Sequence, residues 1–200
     1  MKSPNIPYLS KGTLIALLFL TVGCATVPVT GRKSLNILPD SELLSMSLDQ
    51  YNDVLKKSKL SNDPAKVHMV KRVGERIASA TEQFFKEKGM ESEIKNYKWE
   101  FNLIEDDKVV NAWCMPGGKV AVYTGILPVT QNDTGLAVVM GHEISHAIAK
   151  HGNERMSQGM LAQLGAVGLS AALSTYPSET NQIFLAAYGL GANVGVLLPY

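Results

Sequence analysis

Apolar residues recur along this chain with two different periods, and the places where one gives way to the other mark its elements. From position 40 the period is helical. Leu43, Leu44, Leu48, Tyr51 and Leu55 share a face, and Asp40 or Ser41 can cap the start. Asp63-Pro64 opens a second helix, with proline at a position where its missing N–H costs nothing. Its stripe is Val67, Val70, Val73, Ile77, Ala80 and Phe84, and Gly89 supplies a stop. His68 lies beside that stripe and reads as a structural histidine. The period then changes to two. Residues 97–104 (YKWEFNLI) alternate and are rich in aromatic and branched side chains, residues 109–114 form a second candidate strand, and 119–124 (KVAVYT) a third. Turns at 105–108 and at Pro116-Gly117-Gly118 separate them, so the segment predicts a small antiparallel meander.

Helical spacing returns after Asn132 or Asp133, either of which can cap a helix from Thr134 to about Lys150. Leu136, Ala137, Val138, Val139, Met140, Ile144, Ala147 and Ile148 leave this helix apolar nearly all round, which predicts burial. Gly152 is the expected left-handed cap, and His151 the expected C-terminal residue complementing the helix dipole. Beyond it, residues 160–173 and 183–198 are almost free of charge and are separated by Tyr176-Pro177-Ser178-Glu179. Both runs fall short of the ~20 apolar residues that span a bilayer. Buried helices are the preferred reading, ahead of an element dipping into a membrane surface.

Composition narrows the class. With 46% hydrophobic and 18% charged residues the chain is globular, and 200 residues suit one domain. A net charge of +1 provides no electrostatic footprint for nucleic acid. The N-terminus stands apart. Lys2 and Lys11 precede an apolar core at 13–22 and then Gly23-Cys24, which resembles a bacterial lipoprotein cleavage site. On that reading residues 1–24 are a signal peptide ending at Cys24, Cys24 carries the lipid, and residues 25–38, with Pro28 and Gly31, are a tether. Residues 39–200 form the folded domain, facing the periplasm. Ala25 is no evident retention signal, which favours the outer membrane. Cys114, the other of two cysteines, then has no partner in the chain and reads as a small buried hydrophobe.

The chemistry is concentrated in His142-Glu143-Ile144-Ser145-His146. Histidines four apart lie one turn apart on one helix face, close enough for both imidazoles to reach one tetrahedral Zn²⁺. Glu143 is placed to act as general base on a water that the metal activates. On a buried helix such polar groups would be costly without a partner, and a metal is one. The metzincin pattern needs glycine and histidine three and six residues after the second histidine; Ala149 and Gly152 stand there, which excludes that group.

The segments Asn111-Ala112-Trp113-Cys114-Met115-Pro116-Gly117-Gly118, Val122-Tyr123-Thr124-Gly125, the zinc motif, and His151-Gly152-Asn153-Glu154-Arg155-Met156-Ser157 together resemble the HtpX/Oma-type zinc metallopeptidases, in their periplasmic lipoprotein branch. The resemblance implies an α+β, mostly helical, zincin-like metalloprotease domain with a small antiparallel sheet and an active-site helix carrying the motif. It implies one Zn²⁺ held by His142 and His146, Glu143 as general base, and endopeptidase action on misfolded envelope proteins. It also implies that the strand after the Pro-Gly-Gly turn (Gly118, Lys119, Val120, Ala121 and Val122) is the cleft edge, binding an extended peptide by strand addition. The third ligand of the family is a glutamate in a later helix. Here only Glu154 and Glu179 follow the motif, and neither matches that position, so the chain is expected to be incomplete at its C-terminus. Two other readings stay open: a non-catalytic, membrane-tethered peptide-binding or chaperone-like protein, and a structural lipoprotein in which the motif is incidental.

Overall fold

The helices form where the apolar spacing predicts them, and their ends show what stops them. The structure, a computed structural model, describes residues 24–174, 178, 182–186 and 188–189. The signal-peptide expectation at 1–23 and most of the second uncharged run lie outside them. The chain divides into two units: Leu38–Met156, and the residues up to Ile37 together with those from Ser157 onward.

In the first unit α1 spans Asp40–Lys57 and α2 spans Pro64–Glu87. Neither Asp40 nor Ser41 caps α1. Pro39 holds the cap position, and Asp40 and Glu42 in the first turn with Lys56 and Lys57 in the last complement the dipole instead. Asp63 does cap α2: its Oδ1 accepts from the N–H groups of Lys66 (3.1 Å) and Ala65 (3.0 Å), which holds its carboxyl below the usual range. Gly89 follows with φ +65°, the left-handed stop.

The strands are β3 (Glu100–Ile104), β4 (Ala112–Met115) and β5 (Lys119–Tyr123). Their order is β3-β5-β4, with β5 parallel to β3 and antiparallel to β4. The sheet is therefore mixed, and the expected antiparallel meander is corrected. The cause lies at the end of β3. There Glu105 N–H donates to the Lys59 carbonyl (2.7 Å) and Asp106 N–H to Thr124 Oγ1 (3.0 Å). The chain thus leaves the sheet, and β4 is laid down one position away. A tight turn then returns β5 into the gap. Pro116 and Gly117 (φ +88°) are its central residues, and Gly118 N–H donates to the Met115 carbonyl at 3.2 Å, the arrangement in which Pro-Gly is preferred.

The register sorts the sheet into two faces. Phe101 and Leu103 of β3, Val120 and Val122 of β5, and Ala112 of β4 join Val70, Val73 and Ala78 of α2 in one core. On the opposite face Asn102 Nδ2 donates to Tyr51 Oη of α1 (2.8 Å), and Trp113 meets the Tyr51 ring edge-on at 5.8 Å. The layers are α1, the sheet, and then α2 with the motif helix α4 (Asp133–Ile148). A 3-10 turn at Thr124–Ile126 and a short helix α3 (Leu127–Thr130) link β5 to α4. This agrees with a mostly helical α+β domain. α5 spans His151–Ala172.

In the second unit β1 (Cys24–Thr26) and β2 (Lys33–Leu35) pair antiparallel. The segment expected to be a plain tether thus contains a hairpin, because Pro28 and Gly31 (φ +68°) serve its turn. Along α5 Leu161, Leu164 and Val167 are exposed, so the part of the first uncharged run that α5 carries is not the buried helix expected. No helix among the described residues is long and apolar enough to cross a membrane.

Candidate metal centre

α4 is held on the sheet by one stripe. Leu136, Met140, Ile144 and Ala147 are buried at spacings of four, four and three, while Val138 is 69% exposed and His142 and Ser145 face solvent. The expectation of a helix buried all round is corrected: the apolar residues outside the stripe are partly or wholly exposed. The cost of burying histidines therefore no longer argues for a metal, and the geometry has to. Two devices fix the start of α4. Asn132 Oδ1 accepts from Gly135 N–H at 3.0 Å. Arg72 of α2 grips the Asp133 carboxylate through Nη2 (2.7 and 2.8 Å) and Nε (3.2 Å). Arg72 Nη1 also donates to His68 Nδ1 (3.1 Å), so His68 has the structural role expected of it.

At 100° per residue, His142 and His146 share one side of α4, and Glu143 is turned from them toward the sheet. The Nε2 atoms of His142 and His146 face each other at 2.9 Å, with the rings nearly perpendicular. Two nitrogens bound to one tetrahedral zinc at 2.0–2.1 Å stand about 3.3 Å apart. An opening of a few tenths of an ångström would bring the pair to that spacing, which makes the two imidazoles a candidate for two of the three protein ligands a catalytic zinc takes. Among the described residues, no group of three or more His, Cys, Asp or Glu side chains converges on such a point. Glu179 lies outside them.

Glu143 stands close to Cys114 of β4. Burial pushes the Cys114 thiol up to about 12, and the Glu143 carboxylate adds to the shift. That raised thiol fits the small-hydrophobe reading of Cys114. The same interaction, with the helical wheel, puts Glu143 on the side of α4 nearest β4. Here the substrate expectation changes. β5 is the middle strand, bonded on both sides, and Val120, Ala121 and Val122 are fully buried. Lys119 Nζ is bound to Glu100 (3.0 Å), and Gly118 (φ +81°) lies against the Trp99 ring, where an added Cβ would stand 2.8 Å from it. A strand paired twice has no edge for a peptide. The edge beside Glu143 is β4, which the sequence placed in the interior of a meander.

The corner after α4 also differs. The left-handed residue is Lys150 (φ +57°), not Gly152, which is helical. Lys150 Nζ is held by Asp40 (2.8 Å) and approached by Glu93 (3.9 Å). His151 consequently begins α5 instead of ending α4. Its Nδ1 stands 2.6 Å from His146 Nδ1. The sequence missed this neighbour, because five residues apart on a continuous helix would not bring the two rings together in this way.

The family model described as Peptidase family M48 matches residues 64–199. The chain belongs to peptidase family M48. The match takes in both α2 and the motif helix, so in M48 terms α4 is the helix that carries H-E-x-x-H. Among curated relatives, mitochondrial metalloendopeptidase OMA1 of Schizosaccharomyces pombe is 30% identical over 178 residues, 87% of this chain and 47% of that protein. The human metalloendopeptidase OMA1 is 26% identical over 164 residues, 80% of this chain and 29% of its own length. The beta-barrel assembly-enhancing protease of Escherichia coli is 28% identical over 148 residues, covering 72% and 28%. The chain thus spans less than half the length of these M48 relatives.

Proposed function

We propose that this M48 domain is a zinc-dependent metalloendopeptidase that cleaves misfolded polypeptides of the cell envelope, tethered to a membrane through lipid on Cys24. The observation that carries the reading is the pair of converging Nε2 atoms on His142 and His146, one residue from a carboxylate turned toward an edge strand. The M48 relatives named as metalloendopeptidases support the reaction class, and the Escherichia coli relative supports the envelope setting.

His142 and His146 would hold the ion. When bound there, zinc would supply a water acidified toward neutral pH and a Lewis acid for the scissile carbonyl. Glu143 accepts the proton of the attacking water and passes it to the leaving amine. Among the described residues β4 ends the sheet, so its outer edge would receive an extended substrate through main-chain hydrogen bonds that orient the scissile bond with little regard for sequence. That tolerance suits unfolded polypeptides, whose common feature is an exposed backbone.

Digestion of a reduced, unfolded polypeptide by the zinc-loaded chain tests the reading. Cleavage should be lost with a chelator, return with zinc, and fall by about 10²–10⁴-fold in Glu143→Gln, while that variant keeps its zinc affinity. Activity undiminished in Glu143→Gln would show that Glu143 is not the base. Peptide binding without cleavage under all conditions would favour the non-catalytic, chaperone-like alternative.

A further inference from the structure

His146 has two ring nitrogens, and the structure gives each a histidine neighbour. Nε2 faces His142 Nε2 at 2.9 Å, and Nδ1 faces His151 Nδ1 at 2.6 Å. The two neighbours therefore lie on opposite sides of one imidazole. His151 cannot direct Nδ1 to a point shared by the Nε2 atoms of His142 and His146, so that nitrogen does not complete the ligand set. It occupies instead the place where a ligating histidine commonly donates its remaining N–H to an acceptor, an arrangement that sets tautomer and ring orientation.

We propose that His151 is a positioning residue of the metal centre: its Nδ1 accepts the Nδ1 proton of His146 and so keeps the His146 Nε2 lone pair free and aimed at the ion. This rests on the zinc reading above. Between two facing imidazole nitrogens one must donate and the other accept. If His146 Nε2 carries the ligand lone pair, its proton is on Nδ1 and His151 carries its own on Nε2, a single consistent assignment. The chain builds the contact deliberately. Lys150 adopts a left-handed conformation that lysine rarely takes, and its ammonium is held by Asp40. Asn153, two residues beyond His151, donates from Nδ2 to the Leu38 carbonyl at 3.0 Å. Residues 38–40 thus clasp the corner on both sides of His151, whose ring centroid stands 4.9 Å from that of His146.

Zinc affinity, measured by competition with a chromophoric chelator on the full chain, tests this without any need for turnover. His151→Phe keeps a ring but removes the acceptor, and His151→Asn restores an acceptor near the Nδ1 position. The expected result is a Kd about 10–100-fold weaker for His151→Phe and within about threefold of wild type for His151→Asn. The cobalt-substituted His151→Phe protein should keep the wild-type visible band intensity, since no ligand is lost. Wild-type affinity in His151→Phe overturns the proposal. Equal weakening in both variants also overturns it, pointing to a packing role if the metal-free melting temperature falls and to direct ligation if the cobalt spectrum changes. His142→Ala separates this from the larger reading. If it too leaves the affinity unchanged, the zinc site itself is wrong. If it weakens binding and His151→Phe does not, only the positioning role fails.

Discussion

Cys114 and Lys150 show how far a single residue can be judged from its neighbours in sequence. Cys114, expected to be buried, is only partly so and packs against the core. Its thiol is pushed up to about 12 by burial and by Glu143, so at pH 8 it should resist a thiol reagent until the protein unfolds. The raised value also sets a direction for stability. The group stays neutral in the folded state well above its ordinary value near 9, so its stabilising effect is complete below about pH 9 and is lost as pH rises from there toward 12. Tyr51 and Tyr97, also raised by burial, act in the same direction above pH 10. The urea midpoint should therefore drop between pH 8 and pH 10.5, and drop less in Cys114→Ala; equal drops would mean that the thiol is not the group titrating. Lys150 was not legible. A left-handed lysine is disfavoured locally, and an ion pair to Asp40, 110 residues away in sequence, selects it. Local rules assigned that conformation to Gly152, and the error hid the role of His151.

Elements fared better than their arrangement. Helix spacing located α1, α2 and α4 within a few residues, because each buries a stripe and a stripe is written in the sequence. Strand existence was equally plain, but strand order was not. Order depends on Glu105 and Asp106 finding backbone and side-chain partners outside the sheet, which no periodicity records. The same limit applied to α4, whose composition suggested burial on all sides although only one stripe meets the core. That distinction is measurable. Met140→Ala removes a fully buried side chain and should cost about 2–5 kcal/mol in chemical denaturation. Val138→Ala, two residues away and 69% exposed, should stay within about 0.5 kcal/mol. Similar losses for both would contradict the half-exposed helix. At the β4–β5 turn, Gly118→Ala meets a positive φ and the Trp99 ring together, and should cost about 1–3 kcal/mol by the same assay; an unchanged midpoint would mean the turn relaxes freely.

For the molecule as a whole, the layered unit formed by Leu38–Met156 places the H-E-x-x-H helix of an M48 domain against its sheet. The core side of α4 is occupied by packing, its solvent side presents the two histidines, and Glu143 lies at the boundary beside the edge strand β4. The family was readable from a few residues with strict spacing, those of H-E-x-x-H among them. The edge strands were not, since the order of the sheet depends on contacts that no local pattern records. We propose that His142 and His146 make α4 a zinc centre. This is tested most directly by zinc stoichiometry and affinity for the full chain beside His142→Ala, His146→Ala and Glu143→Gln. The account predicts one zinc per chain, binding weakened at least about tenfold by either histidine substitution, and affinity close to wild type for Glu143→Gln. Affinity indifferent to both histidines would contradict it.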